Sequence, residues 1–240
     1  MKKLILLLLF VPLISFGQND VDINTLYPQS NIVIKNHNYF TSKYYPKRID
    51  EFKSNPLTKG GIVFLGNSIT EEGKDWGKKI NMNGVSNRGI SGDITDGVLE
   101  RLDEIIFYKP KAVFILIGHN DLWSYRIKSG VPSIEYIEKN IIKIVESINN
   151  GSPETLIFVQ SILPTRHVTK DNFFEKSINK INSFLKQNES KHNYSFIDLH
   201  SLFVDSKGLL KSNLTPDGGH LNTEGYAVWI DKIKEILISL

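Results

Sequence analysis

Gly61-Ile62-Val63-Phe64-Leu65-Gly66-Asn67-Ser68-Ile69-Thr70 is the stretch on which the reading of this chain turns. A short apolar run bounded by glycines reads as a strand buried on both faces. The polar turn that follows at once places Asn67 and Ser68 at one edge of the sheet to which that strand belongs. Outward from it the same alternation recurs. Strands are predicted over 85–87, 112–117, 155–160 and 194–198, and helices over 95–107, 133–149, 172–188 and 223–238. The helix over 133–149 is the clearest, with Ile134, Ile137, Ile141, Ile144, Val145 and Ile148 at helical spacing. A shorter helix is expected over 47–52, stopped by Asn55-Pro56. Strands separated by helices of ten or more residues predict an α/β fold: a three-layer α/β/α sandwich around a central parallel sheet of about five strands.

The ends of the chain read differently. Lys2 and Lys3 precede an apolar run from Leu4 through Ile14 that Pro12 interrupts, and Ser15-Phe16-Gly17 follows. The run is too short for a membrane span of ~20 residues and has the pattern of a signal peptide over 1–17, with cleavage expected near Gly17-Gln18 and a secreted or periplasmic product. An uncleaved anchor is the alternative, and no stable membrane insertion is expected after cleavage. Residues 18–42, rich in Asn, Asp, Ser and Thr without a sustained period, are expected as an irregular arm, leaving 43–240 as one domain. The 240 residues are 40% hydrophobic and 23% charged, with no cysteine, which excludes a disulfide scaffold and a lipid anchor on Cys. Without residues 1–17 the chain carries 27 basic and 26 acidic residues, so no electrostatic case for nucleic acid exists.

In open parallel sheets, ligands bind beyond the carboxyl ends of the strands. Ser68 stands there and is a candidate nucleophile. It is equally placed to cap the helix that follows, with Glu71 or Glu72 in its first turn. The second strand leads into Asn87-Arg88-Gly89-Ile90-Ser91-Gly92-Asp93 and the third into Gly118-His119-Asn120-Asp121. Glycines there let backbone N–H groups approach a ligand and Asn120 offers a neutral donor, which together suit a developing oxyanion; turn chemistry alone would favour the same residues. Near the C-terminus, Asp217-Gly218-Gly219-His220 sets an acid three residues before a histidine, where it can orient the ring and stabilise its protonated form. The order Ser68, Asp217, His220 is also that of lipase-like α/β-hydrolases, but Gly66-x-Ser68-x-Thr70 lacks the second glycine of their nucleophile elbow, which places that fold second.

Taken in order, Gly66-Asn67-Ser68-Ile69-Thr70, Gly89-Ile90-Ser91-Gly92-Asp93, Gly118-His119-Asn120-Asp121 and Asp217-Gly218-Gly219-His220 resemble the four blocks of the SGNH (GDSL-type) hydrolases. The resemblance spans most of the chain and implies a flavodoxin-like SGNH fold. It further implies Ser68 as nucleophile, His220 as general base, Asp217 as its orienting acid, and an oxyanion hole from the N–H of Ser68, the N–H of Gly92 and the side-chain amide of Asn120, with Gly89 the weaker glycine. Asn67 stands where the family most often has aspartate, and Leu221 where proline often follows the histidine. The pattern is most similar to the acetylhydrolase and sialate O-acetylesterase-like branch.

The other histidines show no metal-ligand spacing, and Gly89-x-x-Gly92 is neither a P-loop nor a dinucleotide fingerprint, so no metal and no cofactor are expected. Trp123 and Tyr125, in the loop expected after Asn120, are tentative substrate contacts, and are equally suited to packing the start of the next helix. The expected substrate is a small-molecule or glycan ester with a short acyl group, acetyl first. A lysophospholipase, arylesterase or thioesterase of the same family, or an idle glycan-binding protein, is the alternative.

Overall fold

The computed structural model describes residues 22–240, so the expected signal peptide lies outside the described residues. Five strands, β1 (Ile62–Gly66), β2 (Val85–Gly89), β3 (Ala112–Leu116), β4 (Leu156–Gln160) and β5 (Ser195–Ile197), form one sheet in the order β2-β1-β3-β4-β5. Every neighbouring pair is parallel. The helices, in chain order, are α1 (Tyr39–Ser54), α2 (Ser68–Glu71), α3 (Trp76–Ile80), α4 (Thr95–Leu99), α5 (Asp103–Tyr108), α6 (His119–Arg126), α7 (Ile134–Gly151), α8 (Phe173–His192), α9 (His200–Phe203) and α10 (Thr223–Ser239). Among the described residues no helix is long and apolar enough to cross a membrane.

β1 and β3 are buried at all five positions and divide their side chains between two cores. Val63, Leu65, Val113 and Ile115 face one core, closed by Val98 of α4, Ile105 of α5, and the apolar stripes of α7 and α8. Ile62, Phe64, Phe114 and Leu116 face the other, closed by Trp76 of α3 and Trp229 and Ile233 of α10. Each such side chain contributes ~1.5–3 kcal/mol on burial, and a strand covered on both faces must be apolar throughout, which is why these runs are continuous in the sequence.

The chain leaves β1 for β2 on one side and then crosses back to β3 on the other. The switch point therefore falls between β1 and β3. Gly66 pairs with both Gly89 and Leu116, so the three strands end flush and their polar loops start at one level.

Three elements differ from expectation, the first being the loop expected after Asn120, which is the helix α6. The irregular arm ends at Asn38, because α1 begins at Tyr39, eight residues earlier than expected, with Asn38 Oδ1 accepting from Thr41 N as the N-cap. Thr41, Tyr45, Ile49 and Phe52 form its buried stripe, and Pro46 is tolerated within it. The helix expected over 95–107 is broken into α4 and α5. At the break Arg101, only 4% exposed, turns inward and donates to Arg88 O (2.7 Å), Gly66 O (3.0 Å) and Asp93 Oδ2 (2.9 Å). A buried guanidinium needs every one of these partners, and here they tie the ends of β1 and β2 together.

Candidate active site

The turn after β1 decides the role of Ser68. Asn67 Oδ1 accepts from Ile69 N at 3.1 Å and is the N-cap of α2, so Ser68 is not the cap and its hydroxyl is free for other work. Asn67 is almost fully buried, and its amide oxygen performs the capping that a carboxylate would perform there. The short α2 is held from below by the second core: Tyr226 OH donates to Ile69 O (2.7 Å) and Trp76 Nε1 to Thr70 O (3.0 Å).

Ser68 Oγ lies 3.0 Å from His220 Nε2, although the two residues are 152 positions apart. His220 Nδ1 lies 2.7 Å from Asp217 Oδ2. A carboxylate only accepts, so Nδ1 carries the hydrogen, and in the neutral ring the Nε2 lone pair faces the serine hydroxyl. Asp217 Oδ1 accepts in turn from Gly219 N (2.9 Å) and His220 N (2.8 Å). Burial alone would raise the Asp217 carboxyl, but the hydrogen bonds from the His220 ring and from the N–H groups of His220 and Gly219 outweigh it and hold it well below the usual carboxylate range. The carboxylate is therefore charged throughout the range in which a histidine titrates.

The turn carrying Asp217 and His220 is fastened to the loop after β4. Arg166 N donates to Gly218 O at 2.8 Å and Thr165 Oγ1 to the same oxygen at 3.1 Å. Gly218 has φ +88°, and a Cβ there would lie 2.9 Å from that of Arg166, so both conformation and space require glycine.

A cavity of about 200 Å³ opens over Ser68 and is lined by Asn67, Ile69, His119, Asn120, Trp123, His167 and the Asp217–His220 turn. Asn120 Nδ2 donates one hydrogen to Asp93 O at 2.9 Å. The amide has a second hydrogen, for which no partner exists among the described residues. Gly92 does not line this cavity but stands at the loop after β2, with φ +80°. Gly89, the weaker glycine, is packed against the turn itself, where a Cβ would strike Glu71 N at 2.2 Å.

Of the two aromatic candidates, Trp123 reaches the cavity and Tyr125 does not. Tyr125 packs against Phe173 instead, with ring centroids 5.8 Å apart. Residues two apart on α6 point to different sides of the helix, so both could not face one site. The cavity also holds His167, edge-on to Trp123 at 5.0 Å, which sequence reasoning passed over. It follows β4, and the rule that drew attention to Ser68, Gly92 and Asn120 applies equally to that loop. Glu72 Oε1, 3.7 Å from His220 Nε2, is a second residue not anticipated.

Two neighbours of Asn120 are buried ionisable groups. Burial pushes the His119 imidazole down to about 4, with smaller contributions from His167 and His220. Burial pushes the Asp121 carboxyl up to about 7, against the opposing hydrogen bonds from the hydroxyl and N–H of Thr95.

A serine, a histidine and an aspartate linked at the switch point of a doubly wound parallel sheet of flavodoxin-like order are the arrangement of a serine hydrolase. Residues 64–228 match the sequence profile of the GDSL-like lipase/acylhydrolase family, and the chain belongs to that family. It is thus an ester-hydrolysing serine hydrolase. Its fold is similar to that of a GDSL-like lipase from Bacteroides thetaiotaomicron, with 23% identity, TM-score 0.67, and 80% of this chain and 97% of the other covered. It is likewise similar to an acetylxylan esterase from Geobacillus stearothermophilus, with 20% identity, TM-score 0.62, and 75% and 95% covered. The N-acylneuraminate cytidylyltransferase of Escherichia coli O18:K1:H7 is 30% identical over 196 residues, which are 79% of this chain and 43% of that protein. The chain thus spans less than half the length of that relative.

Proposed function

We propose that this protein removes a short acyl group, acetyl first, from a hydroxyl of a carbohydrate, by way of an acyl-enzyme on Ser68. The observation that carries the reading is the continuous link from Asp217 through His220 to the Ser68 hydroxyl at 2.7 and 3.0 Å. His220 Nε2 takes the hydroxyl proton as Oγ bonds to the ester carbonyl carbon, and the carbonyl electron pair moves onto its oxygen. We assign the contacts to that oxyanion to the N–H of Ser68, the second hydrogen of Asn120 Nδ2 and, from the loop beside the cavity, the N–H of Gly92. Collapse expels the alcohol, which takes the proton from His220. Water, deprotonated by the same nitrogen, then releases the acid and restores Ser68.

Three observations support the substrate class. A cavity of about 200 Å³ is below the ~300–1,000 Å³ of sites for drug-sized ligands and suits a small acyl group better than a long chain. Trp123 offers an aromatic face beside the polar groups of His119, Asn120 and His167. Among similar proteins, one is named for an acetylated polysaccharide and one for an acylated sugar acid. The nucleotide transfer in the second name is not carried over. The charged, interrupted apolar start of the chain supports export with cleavage near Gly17-Gln18, which N-terminal sequencing of the recovered protein tests.

The experiment is a series of acetyl, butyryl and octanoyl esters of one alcohol, followed by O-acetylated sugars. Acetyl is expected to give the highest kcat/KM, and acetate is expected to be released from the sugars. A rise of about tenfold or more per few added methylenes would overturn the short-acyl reading, and no acetate from any sugar would overturn the carbohydrate reading.

A further inference from the structure

Stabilisation of the oxyanion, in acylation and in deacylation alike, depends on the loop that follows β2. Residues 91–93 follow an edge strand, and Gly92 has φ +80°, a left-handed conformation that glycine adopts without strain. Glu71, Arg101 and Asn120 hold part of this loop, and the rest of what holds it comes from residues before β1, outside the stretch that matches the family profile.

His37 Nε2 donates to Asp93 Oδ1 at 3.0 Å, with both side chains essentially sealed from solvent. Its other ring nitrogen has no partner among the described residues, so Asp93 is the one polar engagement of a buried imidazole. Thr41 Oγ1, one turn on, shares its hydrogen between Asn38 Oδ1 (3.1 Å) and Gly92 O (3.2 Å). The fit is close, since a Cβ on Gly92 would lie 2.3 Å from that hydroxyl. Tyr44 OH donates to Glu71 Oε1 at 2.5 Å, and Glu71 Oε2 accepts from Ser91 N (2.5 Å) and Ser91 Oγ (2.6 Å). Positions 37, 41 and 44 thus meet 93, 92 and, through Glu71, 91. Thr41 and Tyr44, three apart on α1, share a face of that helix, and His37 stands just before its N-cap.

Asp93 is the hub. Its carboxylate also accepts from Arg101 and from Ile94 N, and its carbonyl receives the hydrogen bond that aims Asn120. A shift of Asp93 would therefore move two proposed oxyanion donors together: the N–H of the adjacent Gly92 and the amide of Asn120. The geometry points to His37 and Thr41 as positioning residues that brace the oxyanion hole from the N-terminal segment. They touch no reacting atom and act through Gly92, Asp93 and Asn120. The inference rests on the assignment of those donors made above.

The test is a double-mutant cycle on the full chain with a chromogenic acetate ester, reading kcat and KM separately and confirming the fold by thermal melting. His37→Leu should lower kcat about tenfold with KM within about twofold, because the loss falls on a transition-state contact. His37→Gln, which keeps a donor directed at Asp93, should recover most of that loss. In an Asn120→Ala background, His37→Leu should cost clearly less, about threefold, since the share carried by the amide is gone and only that of the Gly92 N–H remains. If His37→Leu does not fold, Thr41→Val gives the same comparison with a near-isosteric change. A loss of the same size in both backgrounds, or an unchanged kcat in a folded His37→Leu or Thr41→Val protein, would overturn the brace. If Asn120→Ala alone leaves kcat unchanged, the oxyanion assignment fails first and takes the brace with it.

Discussion

The two halves of the site are built in opposite ways. Asp217 and His220 sit on a turn at the surface, with the Asp217 side chain 52% exposed, and three positions of chain suffice to bring them together. Asp93, Asp121 and Arg101, behind Asn120, are sealed from water, and their partners come from segments as far apart as residues 37 and 120. The difference follows from what each half must do. A proton relay needs its base to face solvent for the water of deacylation, and its charge is held by adjacent N–H groups. An oxyanion hole needs donors that do not reorganise, and rigidity of that kind requires burial and many long-range ties. The exposed half should therefore respond to substitution in rate and hardly in stability, and the buried half in both.

The largest effect is expected in the exposed half. Ser68→Ala or His220→Ala should lower kcat by about three orders of magnitude or more with the melting temperature little changed, because nucleophile and base act as one unit. Asp217→Asn should cost less, since the relay keeps its histidine. A folded Ser68→Ala protein of near-normal activity would break the comparison at its strongest point.

The buried half should show itself in how stability varies with pH. Asp121 has its folded value raised to about 7, above that of an unfolded aspartate, so its stabilising contribution is complete below about pH 4 and is lost as pH rises through about 7. Asp121→Asn should remove a slope worth on the order of 4 kcal/mol across that window, read from urea midpoints at pH 4 and pH 8. His119 carries the opposite sign. Its folded value is lowered to about 4, so its contribution is present above about pH 6.5 and lost as pH falls through about 4. His119→Gln should flatten the acid limb by on the order of 3 kcal/mol. Equal pH slopes in wild type and both variants would mean that neither group is as sealed as its surroundings indicate.

The smallest effect sharpens the boundary between the halves. Asn120→Ala should lower kcat by about 10²-fold through the lost oxyanion contact, and should also lower the melting temperature, because the bond to Asp93 goes with it. A loss in kcat with no change in stability would place Asn120 with the exposed half.

The same contrast governs how much the sequence reveals. The fold is legible because β1 and β3, covered on both faces, must be apolar end to end, and because helices of fifteen residues or more carry their stripe openly. Asp217 and His220 are legible because their contact is local. What escapes is whatever depends on distance in the chain. Arg101 reads as one more residue of a helix over 95–107 until its three carbonyl and carboxylate partners are known. The helix expected from Lys47 starts at Tyr39, although the spacing of Thr41, Tyr45, Ile49 and Phe52 already marks it. Tyr125 looks as suitable as Trp123 until the helical phase of α6 separates them.

The central claim, that Ser68 is the residue acylated, is tested most directly by peptide mapping after treatment with a fluorophosphonate, which loses fluoride to an activated serine. The account predicts a single adduct, on the peptide containing Ser68, that is absent in Ser68→Ala and forms about 10³-fold more slowly in His220→Ala. An adduct on a different residue of the wild-type protein, or full labelling of Ser68→Ala, would contradict it.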